Sequence, residues 1–310
     1  MNQKLSQTDA ISAWDSFWKL MRAAGDNALP SDAEAANKFL LRGLKDFHAV
    51  DKVILDLGCG NGAVCRLLKK SNLTGHNLIL GIDVSFDALA LNRASTGAQV
   101  VQARLETLPI RDCSIDLLIS QFALEYSEAI DTEGLARLLI PGGRCLFVMH
   151  QTNSIIHSAF KSNQEAARLF EQTGAFKFFT LRRERLAEQF EKVESLDRGK
   201  VTAFIRELDE LIDDSLVGQT LSKLLEFLLE ILAHPDINPS AQVQFLENYF
   251  EEWARFRQRL TSMLDAALDD ESFMALQSRF VSYGLRILMA GDLVSESGQV
   301  LGYKLAAEKR

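Results

Sequence analysis

Five residues that suit a buried strand, Val53-Ile-Leu-Asp-Leu57, run straight into Gly58-Cys-Gly-Asn-Gly62, with glycine at every second position. An apolar strand that ends in glycines and then enters a helix opens a nucleotide-type α/β unit, because the glycines let the backbone turn tightly and approach a ligand. The chain that follows keeps alternating. Residues 63–70 read as helix, 78–82 as strand, 85–93 as helix, 99–102 and 115–120 as strands, 132–139 as helix and 144–149 as strand. Strands rich in Val, Ile and Leu that alternate with helices predict a mostly parallel sheet, doubly wound and covered on both faces. Ahead of them, residues 35–48 place Phe39, Leu40, Leu44 and Phe47 on one side of a helix.

The pattern changes near residue 155. Strand-like runs disappear until about 270, and Leu, Phe, Glu and Arg recur three and four residues apart. In 243–267 the residues Tyr249, Trp253, Phe256, Leu260, Met263 and Ala267 form one stripe, the pattern of a core or a subunit interface. In 218–233 Leu221, Leu224, Leu225, Leu228, Ile231 and Leu232 make an apolar face broad enough to need cover from more than one side. Residues 274–287 then read as helix and 289–294 as strand, and a Ser-Glu-Ser-Gly turn at 295–298 leads to a strand over 300–306. A turn that short requires antiparallel pairing. We therefore expect one Rossmann-like core, residues 1–150 with 271–310, whose sheet ends in an antiparallel hairpin. Residues 151–270 would be a helical insertion serving as a lid, a substrate chamber or a homodimer surface.

At 310 residues with a net charge of −8, the molecule as a whole repels polyanions, so nucleic acid is a disfavoured partner. Cys59, Cys65, Cys113 and Cys145 form no CxxC pair, and the five histidines have no paired spacing, so no structural metal is expected. The first twenty residues lack the continuous apolar run of a signal peptide, and no stretch reaches the roughly 18 apolar residues that span a bilayer. The expectation is a cytoplasmic protein with no membrane partner.

Gly58, Gly60 and Ala63 satisfy the dinucleotide pattern G-x-G-x-x-G/A, and Asp83 falls near the position of a ribose-binding acid. Asp56 argues against a dinucleotide. It ends the first strand two residues before Gly58, where a pyrophosphate would be repelled by about 1–4 kcal/mol at about 4 Å. A cationic ligand would be attracted, and S-adenosylmethionine carries both an α-ammonium group and a sulfonium.

Residues 53–150 resemble the class I, Rossmann-like S-adenosylmethionine-dependent methyltransferases, particularly those that methylate small molecules. "LDLGCGNG" is similar to their first motif and "GIDVS" to their strand-two acid. "ARLETLPIRDCSIDLLISQFALEYS" resembles the stretch from the adenine pocket through strand four, and "LLIPGGRCLFVMH" the turn and strand five. The resemblance implies an S-adenosylmethionine site. Asp56, Gly58, Cys59 and Gly60 would lie at the methionyl end, with Asp83 and Val84 at the ribose. Leu105, Glu106, Ser120 and Gln121 would surround the adenine. One departure is Arg104, which stands where family members commonly carry an acid; an Arg cannot accept a bond from the adenine amino group, so that contact falls to backbone or to Glu106. The resemblance also implies that the amino-terminal "AWDSFWKLM", with Trp14, Phe17 and Trp18, lies over the cofactor mouth; packing on the inserted helices is the competing reading.

Ligands of open α/β sheets sit beyond the carboxyl ends of the strands. That makes Gln121, Glu125 and Tyr126 after strand four, and His150, Gln151 and Asn153 after strand five, the candidates for the chemistry. His150 is the leading general base, since its ordinary pKa lies near 6.5. Glu125 is the second catalytic candidate. The Asn/Asp-Pro-Pro-Tyr/Phe motif of amino-methylating enzymes is absent, the chain reading Ser-Gln-Phe-Ala there. A small-molecule acceptor is therefore favoured over RNA or protein. The alternative is a regulatory, partner-binding protein that binds S-adenosylmethionine without turnover.

Overall fold

The structure, a computed structural model, describes residues 13–19, 33–48, 51–71, 77–127, 129–180, 198–234 and 238–310. Contacts divide the chain into two compact units, Met1–Ser158 with Ser262–Arg310, and Ala159–Thr261.

The first unit is a three-layer sandwich. Its elements are α1 (Ala33–Asp46), β1 (Val53–Leu57), α2 (Ala63–Lys70), β2 (Leu78–Asp83), α3 (Phe86–Thr96), β3 (Gln99–Gln102), β4 (Ile115–Gln121), α4 (Thr132–Leu138) and β5 (Leu139–Met149). With β6 (Leu285–Val294) and β7 (Val300–Lys309) from the carboxyl-terminal segment, seven strands form one sheet in the order β3-β2-β1-β4-β5-β7-β6. All neighbours pair in parallel except those involving β7, which is antiparallel to both β5 and β6. Alternate strand residues supply the two faces. Leu55, Leu57, Leu118 and Phe147 pack towards α4, whereas Ile54, Leu117, Ile119 and Leu146 pack towards α1 and α2. Burying each such side chain contributes about 1.5–3 kcal/mol, and this two-sided burial explains why the strands read as continuous apolar runs. Strand order reverses between β1 and β4, which opens a crevice at their carboxyl ends.

Near the carboxyl terminus the boundaries differ from the sequence reading. The helix α9 (Asp270–Ser282) stops before residues 283–287, and the strand β6 (Leu285–Val294) begins where helix was expected. Gly284 is left-handed, with φ 85°, which ends the helix, and Leu285 already pairs with Lys309 of β7 (Val300–Lys309). The Pro-Gly-Gly segment expected as a turn before β5 is part of that strand. It is absorbed there by a register irregularity opposite Ile115–Leu117 and by a left-handed Gly142 at φ 77°.

The second unit is helical. It contains most of α5 (Ile155–Gln172), helical residues 174–180, α6 (Arg198–Asp209), α7 (Leu216–Ala233) and most of α8 (Pro239–Ala266). Tyr249, Trp253, Phe256 and Leu260 of the predicted stripe lie in its core with Leu221, Leu224, Leu228 and Ile231. Phe227 stacks on Phe245 with ring centres 3.7 Å apart. Both ends of this insertion leave the first unit at one place: Leu268 donates its N–H to the His150 carbonyl, and Thr152 donates to the Leu268 carbonyl, each at 3.0 Å. No helix among the described residues is long and apolar enough to cross a membrane.

Candidate functional site

The glycine loop after β1 adopts its shape because only glycine tolerates it. Gly58, Gly60 and Gly62 all have left-handed φ values, 66°, 49° and 87°. A Cβ on Gly58 would meet the Ala123 side chain at 2.3 Å, so the loop packs directly against the segment that follows β4. Cys59 donates its N–H to the Ile82 carbonyl and Gly60 donates to Asp83 Oδ2, both at 2.9 Å. Arg66 holds the far side, donating to the Asn61 carbonyl and side-chain oxygens at 2.5 and 3.0 Å. The Cys59 thiol turns away from the crevice towards Gly81, where a Cβ would meet it at 2.8 Å.

Two acids end β1 and β2, and they differ in what they bond. Asp83 accepts from Gly60 N–H and, through Oδ1, from Ser85 N–H at 2.9 Å. Asp56 is 1% exposed, and its Oδ2 has only the Cys65 thiol at 3.7 Å. Its Oδ1 is buried with no partner. Burial, with a smaller push from the Asp83 charge, raises the Asp56 carboxyl from 3.8 to about 7, against the opposing bond from Cys65. Burial also raises Asp83, opposed by backbone N–H groups of Ser85, Gly60 and Val84.

Beyond β4, Ser120 donates to the Leu57 carbonyl at 3.0 Å and accepts from Leu124 N–H at 3.1 Å, so its hydroxyl ties β4 to β1. The Gln121 side-chain oxygen is buried with no partner. Glu125 sits in a short 3-10 turn, Leu124–Tyr126. One oxygen, Oε1, receives both the backbone N–H of His150 at 2.8 Å and Nδ1 of its ring at 2.6 Å. The other, Oε2, is buried with no partner. Nδ1 must carry the proton to donate here, so in the neutral ring the basic lone pair is on Nε2. The ring lies against Phe122 and edge-on to Tyr126, at centroid distances of 4.6 and 5.7 Å. Tyr126 is held protonated by burial and, to a lesser degree, by the Glu125 charge.

The expected adenine flank is more open. Leu105 packs against the core, and Glu106 pairs with Arg104 at 3.5 Å, both side chains being partly exposed. Val84 contributes its carbonyl to the Gln102 amide at 2.9 Å. Asn153 is exposed, whereas Gln151 is buried and reaches β6, donating to Asp292 at 3.2 Å.

Residues 13–19 are helical and lie over this edge. The Trp18 ring comes within 3.1 Å of where a Gly60 Cβ would stand, and Trp14 packs edge-on to Tyr126 at 5.5 Å. Asp15 accepts from the Ser85 hydroxyl at 2.6 Å. The aromatics were visible in the sequence as a cluster. Asp15 was not singled out there; its one signal is a place on the same helix, one turn before Trp18. Among the described residues no group of three or more His, Cys, Asp or Glu side chains could hold a metal ion.

The buried oxygens left without donors are concentrated at this edge: Asp56 Oδ1 after β1, Gln121 Oε1 and Glu125 Oε2 after β4. A crevice lined by acceptors fits a ligand that brings donors and positive charge. An α-ammonium group, ribose hydroxyls and a sulfonium meet that requirement, and a pyrophosphate does not.

Residues 55–147 match a family described as a methyltransferase domain. A malonyl-[acyl-carrier protein] O-methyltransferase of Methylococcus capsulatus is 29% identical over 131 residues, covering 40% of this chain and 47% of that protein. A putative methyltransferase of Geobacillus sp. is 32% identical over 154 residues, covering 45% of this chain and 60% of that protein. The crystal structure of an S-adenosylmethionine-dependent methyltransferase from Mesorhizobium loti is 30% identical, covering 37% of this chain and 55% of that one, with a TM-score of 0.33. The chain spans about half the length of the curated relatives it matches. The matched residues run from β1 and its glycine loop through β5, and they form a class I, S-adenosylmethionine-dependent methyltransferase domain.

Proposed function

We propose that the protein transfers a methyl group from S-adenosylmethionine to an oxygen of a small organic acceptor. The observation that carries this reading is the set of unpaired acceptor oxygens at the carboxyl edge, Asp56 Oδ1 above all. S-adenosylmethionine supplies an electrophilic methyl group on a sulfonium. Asp56 offers the negative charge for its cationic end, and Asp83, whose carboxylate keeps lone pairs beyond its backbone bonds, offers acceptors for the ribose hydroxyls. Gly58, Gly60 and Val84 would form the backbone wall, and Leu105, Glu106 and Gln121 the adenine side. The Ser120 hydroxyl, already bonded twice, would act by holding β4 against β1.

In this reading His150 takes the proton from the acceptor hydroxyl at Nε2. Glu125 fixes the ring through Nδ1 and stabilises the imidazolium that results. Trp14 and Trp18 exclude water from the same edge. An oxygen acceptor agrees with the three matched relatives described as malonyl-[acyl-carrier protein] O-methyltransferases.

Calorimetric titration of the full chain with S-adenosylmethionine, S-adenosylhomocysteine and NAD tests the cofactor. Binding of the first two and not the third is expected. NAD binding alone would overturn the reading. A screen of metabolite extracts with radiolabelled methyl donor then identifies the acceptor, and alkali-stable or alkali-labile product distinguishes a methyl ether from a methyl ester.

A further inference from the structure

Immediately after β4 the backbone is strained. Phe122 has a φ of 53°, in the left-handed region that a bulky side chain rarely enters. Its N–H still donates to the Val148 carbonyl at 2.7 Å, so the chain completes its bonding to β5 and turns at once. The turn carries Ala123 onto the glycine loop, where a Cβ on Gly58 would stand 2.3 Å from the Ala123 Cβ. Glycine would make this turn without strain. A strained residue persists only where its surroundings hold it, and such residues cluster at functional sites. At position 122 the phenyl ring is the one thing glycine would not supply.

That ring has a neighbour on each side. It lies against the His150 imidazole, with ring centres 4.6 Å apart and planes inclined by 39°. Its Cε1 also reaches Gly302 of β7, where a Cβ would stand 3.2 Å from it and 2.4 Å from the Met149 carbonyl oxygen. The absence of a side chain at Gly302 leaves the ring its room. The same imidazole meets Tyr126 edge-on at 5.7 Å, and its Nδ1 is bonded to Glu125 Oε1 at 2.6 Å. The bond to Glu125 sets the tautomer and anchors one end of the ring. A hydrogen bond at Nδ1 alone lets the imidazole tilt about it, which swings Nε2. Face-on packing by Phe122 opposes that tilt.

We propose that Phe122 is a positioning residue for His150: its ring, presented by the left-handed backbone, fixes where Nε2 points relative to the methyl donor at the glycine loop. One residue serves both parts, because the turn that seats Ala123 on Gly58 is the turn that lays the ring on His150. Reacting groups must be held within about 0.5 Å and about 10–20° of their working geometry. A misplacement of about 1 Å costs about 10²-fold in rate. The proposal rests on the reading of His150 as the base in methyl transfer.

Phe122→Gly separates backbone from ring. It relieves the strained turn and removes the phenyl group, so its effects on stability oppose each other while only the second reaches His150. The first measurement is NMR on the full chain, isotope-labelled at histidine, with the His150 signals assigned by their absence in His150→Gln. In Phe122→Gly the His150 Nδ1–H should exchange with solvent at least about tenfold faster than in the unmodified chain, and the ring signals should broaden. Phe122→Tyr, which keeps a flat ring, should restore both. On the acceptor that the metabolite screen supplies, Phe122→Gly should lower kcat by about 10–10²-fold and leave the KM for S-adenosylmethionine within about twofold. Unchanged exchange or unchanged kcat in Phe122→Gly would overturn the proposal, as would a fall in Tm that accounts for all the lost turnover. Should that variant not fold, Phe122→Leu, which keeps apolar bulk without a flat face, is read by the same two measurements. Full turnover by His150→Gln would sink the base itself, whereas the exchange rate tests the hold on the ring with no acceptor present.

Discussion

The two halves of the sheet's carboxyl edge bury acids in different ways. At β1–β2, Asp83 is gripped by backbone N–H groups of Gly60 and Ser85, so its carboxylate is part of what shapes the glycine loop. At β4–β5, one oxygen of Glu125 holds a backbone N–H and the ring of His150 while the other is bare. An acid bonded to backbone is fixed once the chain folds. An acid bonded to a titratable ring can change its partner's charge during a reaction.

If that contrast is right, removing Asp83 should unfold and removing His150 should not. Asp83→Ala leaves the Gly60 and Ser85 N–H groups without their acceptor, at about 1–3 kcal/mol each when they stay buried. We expect a loss of about 2–6 kcal/mol in denaturant unfolding, together with loss of S-adenosylmethionine binding. An unchanged unfolding midpoint would show that the loop keeps its shape without this acid.

His150→Gln should leave stability and S-adenosylmethionine affinity nearly unchanged while lowering kcat by about 10²–10⁴-fold, the usual contribution of a general base. Glu125→Gln should lower kcat less than that, because the general base is still present and only its charged partner is lost. A His150→Gln variant with full turnover, measured on the acceptor the screen provides, would assign the dyad to structure instead.

Asp56 combines the two behaviours, being more deeply buried than Asp83 but bonded to almost nothing. Its carboxyl titrates near 7 in the fold against an ordinary 3.8. Between these values the folded chain keeps a proton that the unfolded chain releases, so stability of the ligand-free protein falls as pH rises through about 4 to 7. The whole effect is at most about 4 kcal/mol. Asp83 is shifted in the same direction and adds to it. A cationic ligand reverses the preference, so S-adenosylmethionine should bind more tightly as pH rises through 7, with proton release visible in buffers of different ionisation enthalpy. Asp56→Asn should flatten both the stability slope and the binding slope.

The sheet was legible in the sequence because its central strands β1, β4 and β5 are buried on both faces and flanked by glycine or polar turns, while the edge strands β3 and β6 are largely exposed. The core segments of the insertion were legible for a similar reason, their stripes being continuous over several turns. Residues 283–287 were not, since Leu285 and Ile287 suit a helix face as well as a strand, and only the left-handed Gly284 and the pairing with β7 decide between them. At the site, Asp56, Asp83 and the glycines followed from charge and position. The Glu125–His150 pair could be named as two candidates but not joined, because 25 residues separate them and only the parallel register of β4 and β5 brings them to 2.6 Å. The same holds for Gln151 and Asp292, 141 residues apart.

The amino-terminal helix offers the mildest test of the contrast between fixed and exchangeable parts. Trp18 stands over Gly60 through its ring, whereas Asp15 accepts from the Ser85 hydroxyl next to Asp83. Trp18→Ala removes apolar cover and no hydrogen-bond partner of the loop. It should weaken S-adenosylmethionine by about 1–2 kcal/mol, mainly through faster release in stopped-flow experiments, with little change in Tm. Asp15→Ala should loosen the helix at its polar anchor and give a similar but smaller effect, about 0.5–1.5 kcal/mol. If Trp18→Ala lowered Tm as strongly as it lowered affinity, the helix would belong with Asp83 to the fixed architecture. A selective effect on release places it with the parts that open for the ligand.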